Sequence, residues 1–154
     1  DPSRGLCALL AAIEIAGLGE RLLDMSLAHA KQREQFGKPI GGFQAIQHQL
    51  AIMAEQVVLV RVAAQAACRA GLQPSDEQAA VAKTVASAAV PVITGIAHAV
   101  HGAIGITAEF PLAGLTARLH ALRRAHGSEG YWSERLGTAR SKADRDSLDF
   151  VRAL

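Results

Sequence analysis

The sequence predicts an all-α fold, an up-and-down four-helix bundle with one or two extra short C-terminal helices. Three observations carry that prediction. Half of the 154 residues are apolar, yet only six are Phe, Tyr or Trp and alanine recurs throughout, a composition suited to closely packed helices rather than strands. Apolar residues recur three and four apart along three long segments, the period of one helix face. Glycine or proline closes those segments, which keeps the links short and neighbouring helices antiparallel. The length suits a single helical domain over residues 1–154.

Asp1-Pro2 reads as an N-cap followed by proline in the first turn, where a missing N–H costs nothing. The first helix carries Leu6, Leu9, Leu10, Ile13, Ala16, Gly17, Leu22 and Leu23 on its face and runs to about Glu34. In the second, Ile46, Leu50, Met53, Val57, Val60, Ala64 and Cys68 alternate four and three apart, the seam of a helix packed at a shallow angle, ending at Gly71. After Leu72-Gln73-Pro74, Ser75 and Gln78 stand three apart as in a capping box. The third helix, with Ala82, Val85, Ala86, Ala89, Ile93 and Val100, is expected to kink or weaken near Pro91 and to end near His101-Gly102. A shorter fourth helix is expected from Pro111 to Ala125. Gly127-Ser128-Glu129-Gly130 then breaks the chain before a last helix carrying Trp132 and Leu136, with the charged tail to Leu154 behind it.

Sixteen basic residues against fourteen acidic ones give a formal charge of +2, too balanced for a general nucleic-acid binder. The local cluster Arg118, Arg123 and Arg124 reads as a solvated helix face. Cys7 and Cys68 are read as reduced, buried thiols of a cytoplasmic protein, and no signal peptide is read at the N-terminus. From Thr84 to Ala108 there is no formal charge for twenty-five residues, the length of a membrane span. That run contains Pro91, Gly95, His98, His101, Gly102 and Gly105 and is otherwise rich in alanine, so it is read as the central helix of a soluble bundle with no membrane partner.

His98-x-x-His101 places two imidazoles on one helix face, but the first carboxylate after them is Glu109 and no metal is expected, since metal sites want three or four ligands. Gly102-Ala103-Ile104-Gly105 follows a helix rather than a strand, unlike the common phosphate loops. Taken as packing alone, Phe36 and Phe43 read as core staples and Gly37 as a helix C-cap.

Two stretches say more. Arg33-Glu34-Gln35-Phe36-Gly37-Lys38-Pro39-Ile40, continuing through Phe43-Gln44-Ala45-Ile46-Gln47 to Leu50-Ala51-Ile52-Met53, resembles the R-x-Q-F-G-x-P-I-x-x-F-Q-x-I-x-x-x-L-A-x-M signature of the acyl-CoA dehydrogenase family. His101-Gly102-Ala103-Ile104-Gly105-Ile106-Thr107 resembles that family's Q-x-H-G-G-x-G turn, and Glu109-x-Pro111 the E-x-P after it.

The resemblance covers essentially the whole chain and implies the C-terminal helical domain of such an enzyme. It implies FAD as cofactor, an acyl-CoA thioester as substrate and α,β-desaturation as the reaction, in fatty acid metabolism. It further implies related subunits as homo- or hetero-oligomer partners and an electron-transfer flavoprotein as acceptor. Arg33, Gln35, Phe36, Gln44, Gly102 and Gly105 are the implied FAD contacts, reaching the ADP half of the cofactor held by a neighbouring subunit. The residue types suit this: a forked cation for a pyrophosphate, an aromatic face for adenine, and glycines that let backbone N–H groups approach a phosphate.

The sequence departs from the pattern in places that bear on activity. The family's Gln before the glycine turn falls at Ala99 and its second glycine at Ala103. The Glu of a Glu-Gly pair that serves most of the family as catalytic base falls at His126, fifteen residues beyond Pro111. A second family location for the base, immediately before an arginine at the start of the first long helix, is Ser3 here. Glu129 could serve only with a rebuilt loop, and His126 could itself take a proton. The family's N-terminal helical and middle β domains have no counterpart in these residues. Three readings follow: a catalytic C-terminal domain, a base-less subunit that pairs with a catalytic homologue, or a helical interaction module that binds no cofactor.

Overall fold

The computed structural model describes residues 2–69, 71, 73–144 and 146–153. Helix α1 spans Pro2–Gln32, α2 Gln44–Ala67, α3 Asp76–His101, α4 Leu112–Arg124, α5 Glu129–Lys142 and α6 Ser147–Arg152. Between α1 and α2 lies a hairpin of two-residue strands, β1 Glu34–Gln35 and β2 Lys38–Pro39, followed by a 3-10 turn at Ile40–Gly42. A second 3-10 turn, Gly102–Ile106, joins α3 to α4. The proposed N-cap Asp1 lies outside the described residues, as do Leu72 in the α2–α3 loop and Leu154 at the tail.

α3 runs through the middle and packs on α1, α2, α4 and α5. Its inward positions are mostly small: Ala79, Ala80, Ala82, Ala86, Ala89 and Ala97 are buried, with Val90 and Ile93 between them. Short side chains let neighbouring backbones approach closely, and the larger residues come from the surrounding helices. Leu9, Ile15 and Leu22 of α1, Met53, Val57 and Val60 of α2, and Leu112, Leu119 and Leu122 of α4 complete one core with it. Smaller clusters close the two ends. Ala30, Ile40, Leu50 and Val100 meet beneath the hairpin, and Ala8, Ala80 and Trp132 meet near the start of α3.

Several boundaries differ from the sequence reading. α2 ends at Ala67, with Cys68 as its C-cap, a turn before Gly71. α3 continues through Pro91 as one helix. The capping box forms as expected, with Gln78 N–H donating to Ser75 Oγ and Ser75 N–H to Gln78 Oε1. The C-terminal segment divides in two, because α5 stops at Lys142 and α6 opens afresh after Asp146, whose carboxylate accepts from Asp149 N–H. Cys7 and Cys68 are half-buried rather than buried. α2 and the stretch Asp76–Ile106 are each apolar and long enough to cross a membrane, and 56% of an 18-residue apolar window in the second is buried inside the bundle.

The polar link that ties α4 to the centre is Lys83. Its Nζ is buried and donates to Ser87 Oγ at 2.8 Å and to the carbonyls of Leu122 and Arg123 at 2.9 Å each. Those carbonyls end α4 and have no helical N–H partners of their own. Three acceptors match the three donors of an ammonium group, and a cation also suits the negative end of a helix dipole. Burial pushes the Lys83 pKa down to about 8, and the Glu129 carboxylate opposes that shift.

Beyond α4 the chain reverses through two residues of left-handed backbone, His126 (φ 57°) and Gly127 (φ 100°). Trp132 Nε1 donates to the His126 carbonyl at 3.0 Å and holds the turn against the bundle. A Cβ on Gly127 would stand 2.6 Å from Tyr131 Cδ1 and 2.7 Å from Trp132 Nε1.

Two stability predictions follow from these contacts. The folded Lys83 pKa, about 8, lies below its ordinary 10.5, so between those values the unfolded chain binds more protons and stability rises with pH. The rise is at most about 3 kcal/mol. Melting curves across that range should show it for the native chain and lose it in Lys83→Met; equal pH slopes for the two proteins would remove the lysine from the account. Gly127→Ala combines an unfavourable φ with a steric clash and should lower stability by about 1–3 kcal/mol in urea unfolding. An unchanged midpoint would mean that the turn relaxes freely.

Candidate functional site

The hairpin after α1 is the most exposed feature of this end of the bundle. Phe36 (φ 54°) and Gly37 (φ 79°) are its two turn residues, and positive φ at both is what a tight two-residue hairpin turn requires. Gly37 is therefore a turn residue and not a helix C-cap. Phe36 is no core staple either, because its ring is 92% exposed and touches the protein edge-on at Phe43, 6.1 Å between centroids. A bulky residue in left-handed backbone with its ring in solvent is costly on both counts, a combination found where a segment is shaped for a ligand or partner. Phe43 is half-buried, with Lys38 Nζ 4.3 Å from its ring centroid.

Between the hairpin and the end of α3 lies a cleft of about 520 Å³. Arg33, Gln35 and Phe36 line it from one side and Gly102 from the other, together with His29, Ala99, His101, Ala103 and Ile104. Gly102 ends α3 with φ 61° and ψ −144°, a conformation open essentially to glycine alone, and nothing lies within 4 Å of where its Cβ would stand. No carboxylate lines the cleft, and the Arg33 side chain has no ion-pair partner among the described residues.

Two of the proposed cofactor contacts fall outside this cleft. Gln44 opens α2 as an exposed residue and is absent from the lining. Gly105 is buried under the turn, where a Cβ would meet Leu112 Cδ2 at 2.7 Å, so glycine there satisfies packing with α4.

The two histidines of His98-x-x-His101 take separate partners. His98 Nε2 pairs with Thr116 Oγ1 at 3.0 Å, and His101 Nδ1 pairs with the Ala97 carbonyl at 2.8 Å. His101 also stacks on His29, 4.5 Å between centroids. No group of three or more His, Cys, Asp or Glu with metal-site geometry occurs among the described residues. His29 lies one turn before Arg33, whose N–H donates to its carbonyl, but no motif marks it.

His126 stands at the opposite end of the molecule. α4, thirteen residues long, separates it from the cleft, a span of roughly 20 Å at 1.5 Å per residue. Its side chain is exposed. Arg4 Nη1 donates to Tyr131 Oη at 2.9 Å, and this bond draws the phenol pKa down. Ser3 is exposed in the same turn of α1. Glu129 is already engaged: Arg123 Nε donates to both of its oxygens and Nη2 to Oε1, which holds the carboxyl below the usual range. A carboxylate pinned in this way is a poor proton acceptor. One chain therefore carries an anion-suited cleft at one end and an exposed imidazole at the other.

A sequence profile of the acyl-CoA dehydrogenase C-terminal domain matches residues 7–139. The chain is 39% identical over 121 residues to acyl-CoA dehydrogenase IpdE2 of Mycolicibacterium smegmatis, covering 79% of this chain and 36% of that protein. It is 37% identical over 108 residues to glutaryl-CoA dehydrogenase of Desulfococcus multivorans, covering 68% of this chain and 28% of that one. Among solved structures, the ChsE4-ChsE5 complex from Mycobacterium tuberculosis superposes with a TM-score of 0.86 at 29% identity, over 92% of this chain and 39% of the matched one. The glutaryl-coenzyme A dehydrogenase glutaryl-CoA complex gives 0.85 at 30% identity, over 94% and 39%. The chain thus spans little more than a third of the length of these relatives at most. The profile match over residues 7–139, with superpositions that cover more than nine tenths of the chain, places it in the acyl-CoA dehydrogenase family, as its C-terminal helical domain.

Proposed function

We propose that the chain serves an FAD-dependent acyl-CoA dehydrogenase as the domain that grips the ADP half of FAD held by a neighbouring subunit. The observation that carries this reading is the cleft between hairpin and glycine turn. Its unpaired Arg33 suits a diphosphate, its exposed Phe36 ring suits a flat base, and the open face of Gly102 lets a phosphate approach backbone. When bound, FAD supplies the hydride acceptor for desaturation of an acyl-CoA thioester; this chain's part is to hold and orient it. Subunit association in the cytoplasm, within fatty acid metabolism and with an electron-transfer flavoprotein as acceptor, belongs to the same reading.

A second reading is favoured by His126. The turn presents this residue outward at the position where the family resemblance implies a glutamate base, while Ser3 and the pinned Glu129 offer no replacement carboxylate. A subunit of this kind would supply cofactor contacts and assembly, and a catalytic homologue would supply the base. The ChsE4-ChsE5 neighbour is itself a complex of two components, in keeping with such an arrangement.

Two variants of the full-length flavoprotein test these readings. Arg33→Ala should weaken FAD retention by roughly 10- to 100-fold, the worth of about 1.5–3 kcal/mol in charge-assisted hydrogen bonds, measured as the ratio of flavin to protein absorbance after dialysis. Undiminished flavin content would move the cofactor away from this cleft. If His126 is the base, His126→Ala should cut flavin reduction by a panel of saturated acyl-CoA thioesters at least about 100-fold. Reduction at the native rate would assign the base to a partner subunit, as the second reading requires.

A further inference from the structure

His29 lines the cleft from α1, and its backbone carbonyl accepts from Arg33 N–H one turn on. The ring is half-buried, makes no hydrogen bond to protein among the described residues, and stacks on His101 at 4.5 Å with 28° between planes. His101 is 5% exposed. Because a carbonyl can only accept, its bond to Ala97 places the hydrogen on Nδ1, and Nε2 is left buried with no partner among the described residues.

Every titratable or charged residue lining the cleft is a base: His29, Arg33 and His101. Two stacked rings at this separation repel if both are protonated, and Arg33 adds a permanent charge beside them. Burial first, and then His101 and Arg33, hold the His29 pKa below its ordinary value. A bound anion offsets the last of these by adding opposite charge to the same small volume.

We infer that His29 is an anion-binding residue of the cleft, taking a proton from solvent as a diphosphate enters and meeting it as imidazolium beside Arg33. This rests on the cleft being a diphosphate site, as proposed above. Its consequence is linkage. Between the free and the bound pKa the complex holds one more proton than its components, so affinity falls as pH rises through that window, by up to about tenfold per pH unit.

The probe is ADP-ribose, whose diphosphate is esterified at both ends and keeps a fixed charge near neutrality. Calorimetric titration from about pH 5.5 to 8, in buffers of different ionisation enthalpy, reads affinity and proton uptake together. The native protein should take up close to one proton at the acid end, and the His29 ring resonance in NMR should titrate at higher pH once ADP-ribose is bound. His29→Gln should flatten the pH profile and remove the uptake, whereas Arg33→Ala should weaken binding at every pH and keep the profile. Binding that is sensitive to Arg33 yet independent of pH, a pH profile that survives in His29→Gln, or an unmoved His29 resonance would overturn the inference and leave the cleft assignment standing. No binding of ADP-ribose by the native protein would overturn both. Should His29→Gln fail to fold, the NMR titration of the native protein decides alone.

Discussion

The whole arrangement depends on enclosing α3. This helix carries a nearly uncharged, alanine-rich surface that water would meet at a cost on any side left open, so other helices must cover it. Alanine makes the covering close rather than loose, since a residue with no side chain beyond Cβ brings the neighbouring backbone in. Among the described residues one full charge, Lys83, is allowed inside, and it is spent on the end of α4, where two carbonyls would otherwise be orphaned. The enclosed helix thus sets the direction of α4, and through it the position of everything that follows.

Much of this was legible beforehand. The seam of α2 from Leu50 to Ala64 is a clean alternation of four and three, and the structure buries those positions. The Ser75–Gln78 box starts α3 where its chemistry said it would. The hairpin was not legible as a hairpin, because two-residue strands have no periodicity to read, and Phe36 in left-handed backbone goes against its own preference. Lys83 was overlooked for a related reason. In an alanine run a single lysine normally reaches for solvent, and only the carbonyls of a helix 39 and 40 residues away reveal why this one does not.

The cleft was half legible. Arg33, Gln35, Phe36 and Gly102 were identified through a motif, and the fold brings them together. Gln44 and Gly105 belong to the same motifs and lie outside the cleft, Gln44 exposed at the start of α2 and Gly105 buried beneath Leu112. A motif records which residues occur together, whatever the reason. His29 and His101 line the cleft too, and no spacing announces it, since their relation is a ring stack between helices distant in sequence.

The two ends of the domain are physically separable. The turn at His126 is fixed by its backbone: Trp132 grips the carbonyl of residue 126, Gly127 admits no Cβ, and Lys83 holds the last carbonyls of α4. None of these contacts involves the His126 side chain, so the residue there can change from acid to imidazole without disturbing the scaffold. The cleft, roughly 20 Å away across α4, rests on a different cluster around Ile40, Leu50 and Val100. Under the proposed function a chain could therefore lose its base and still hold a neighbour's cofactor, because the packing that presents one end does not depend on the chemistry of the other.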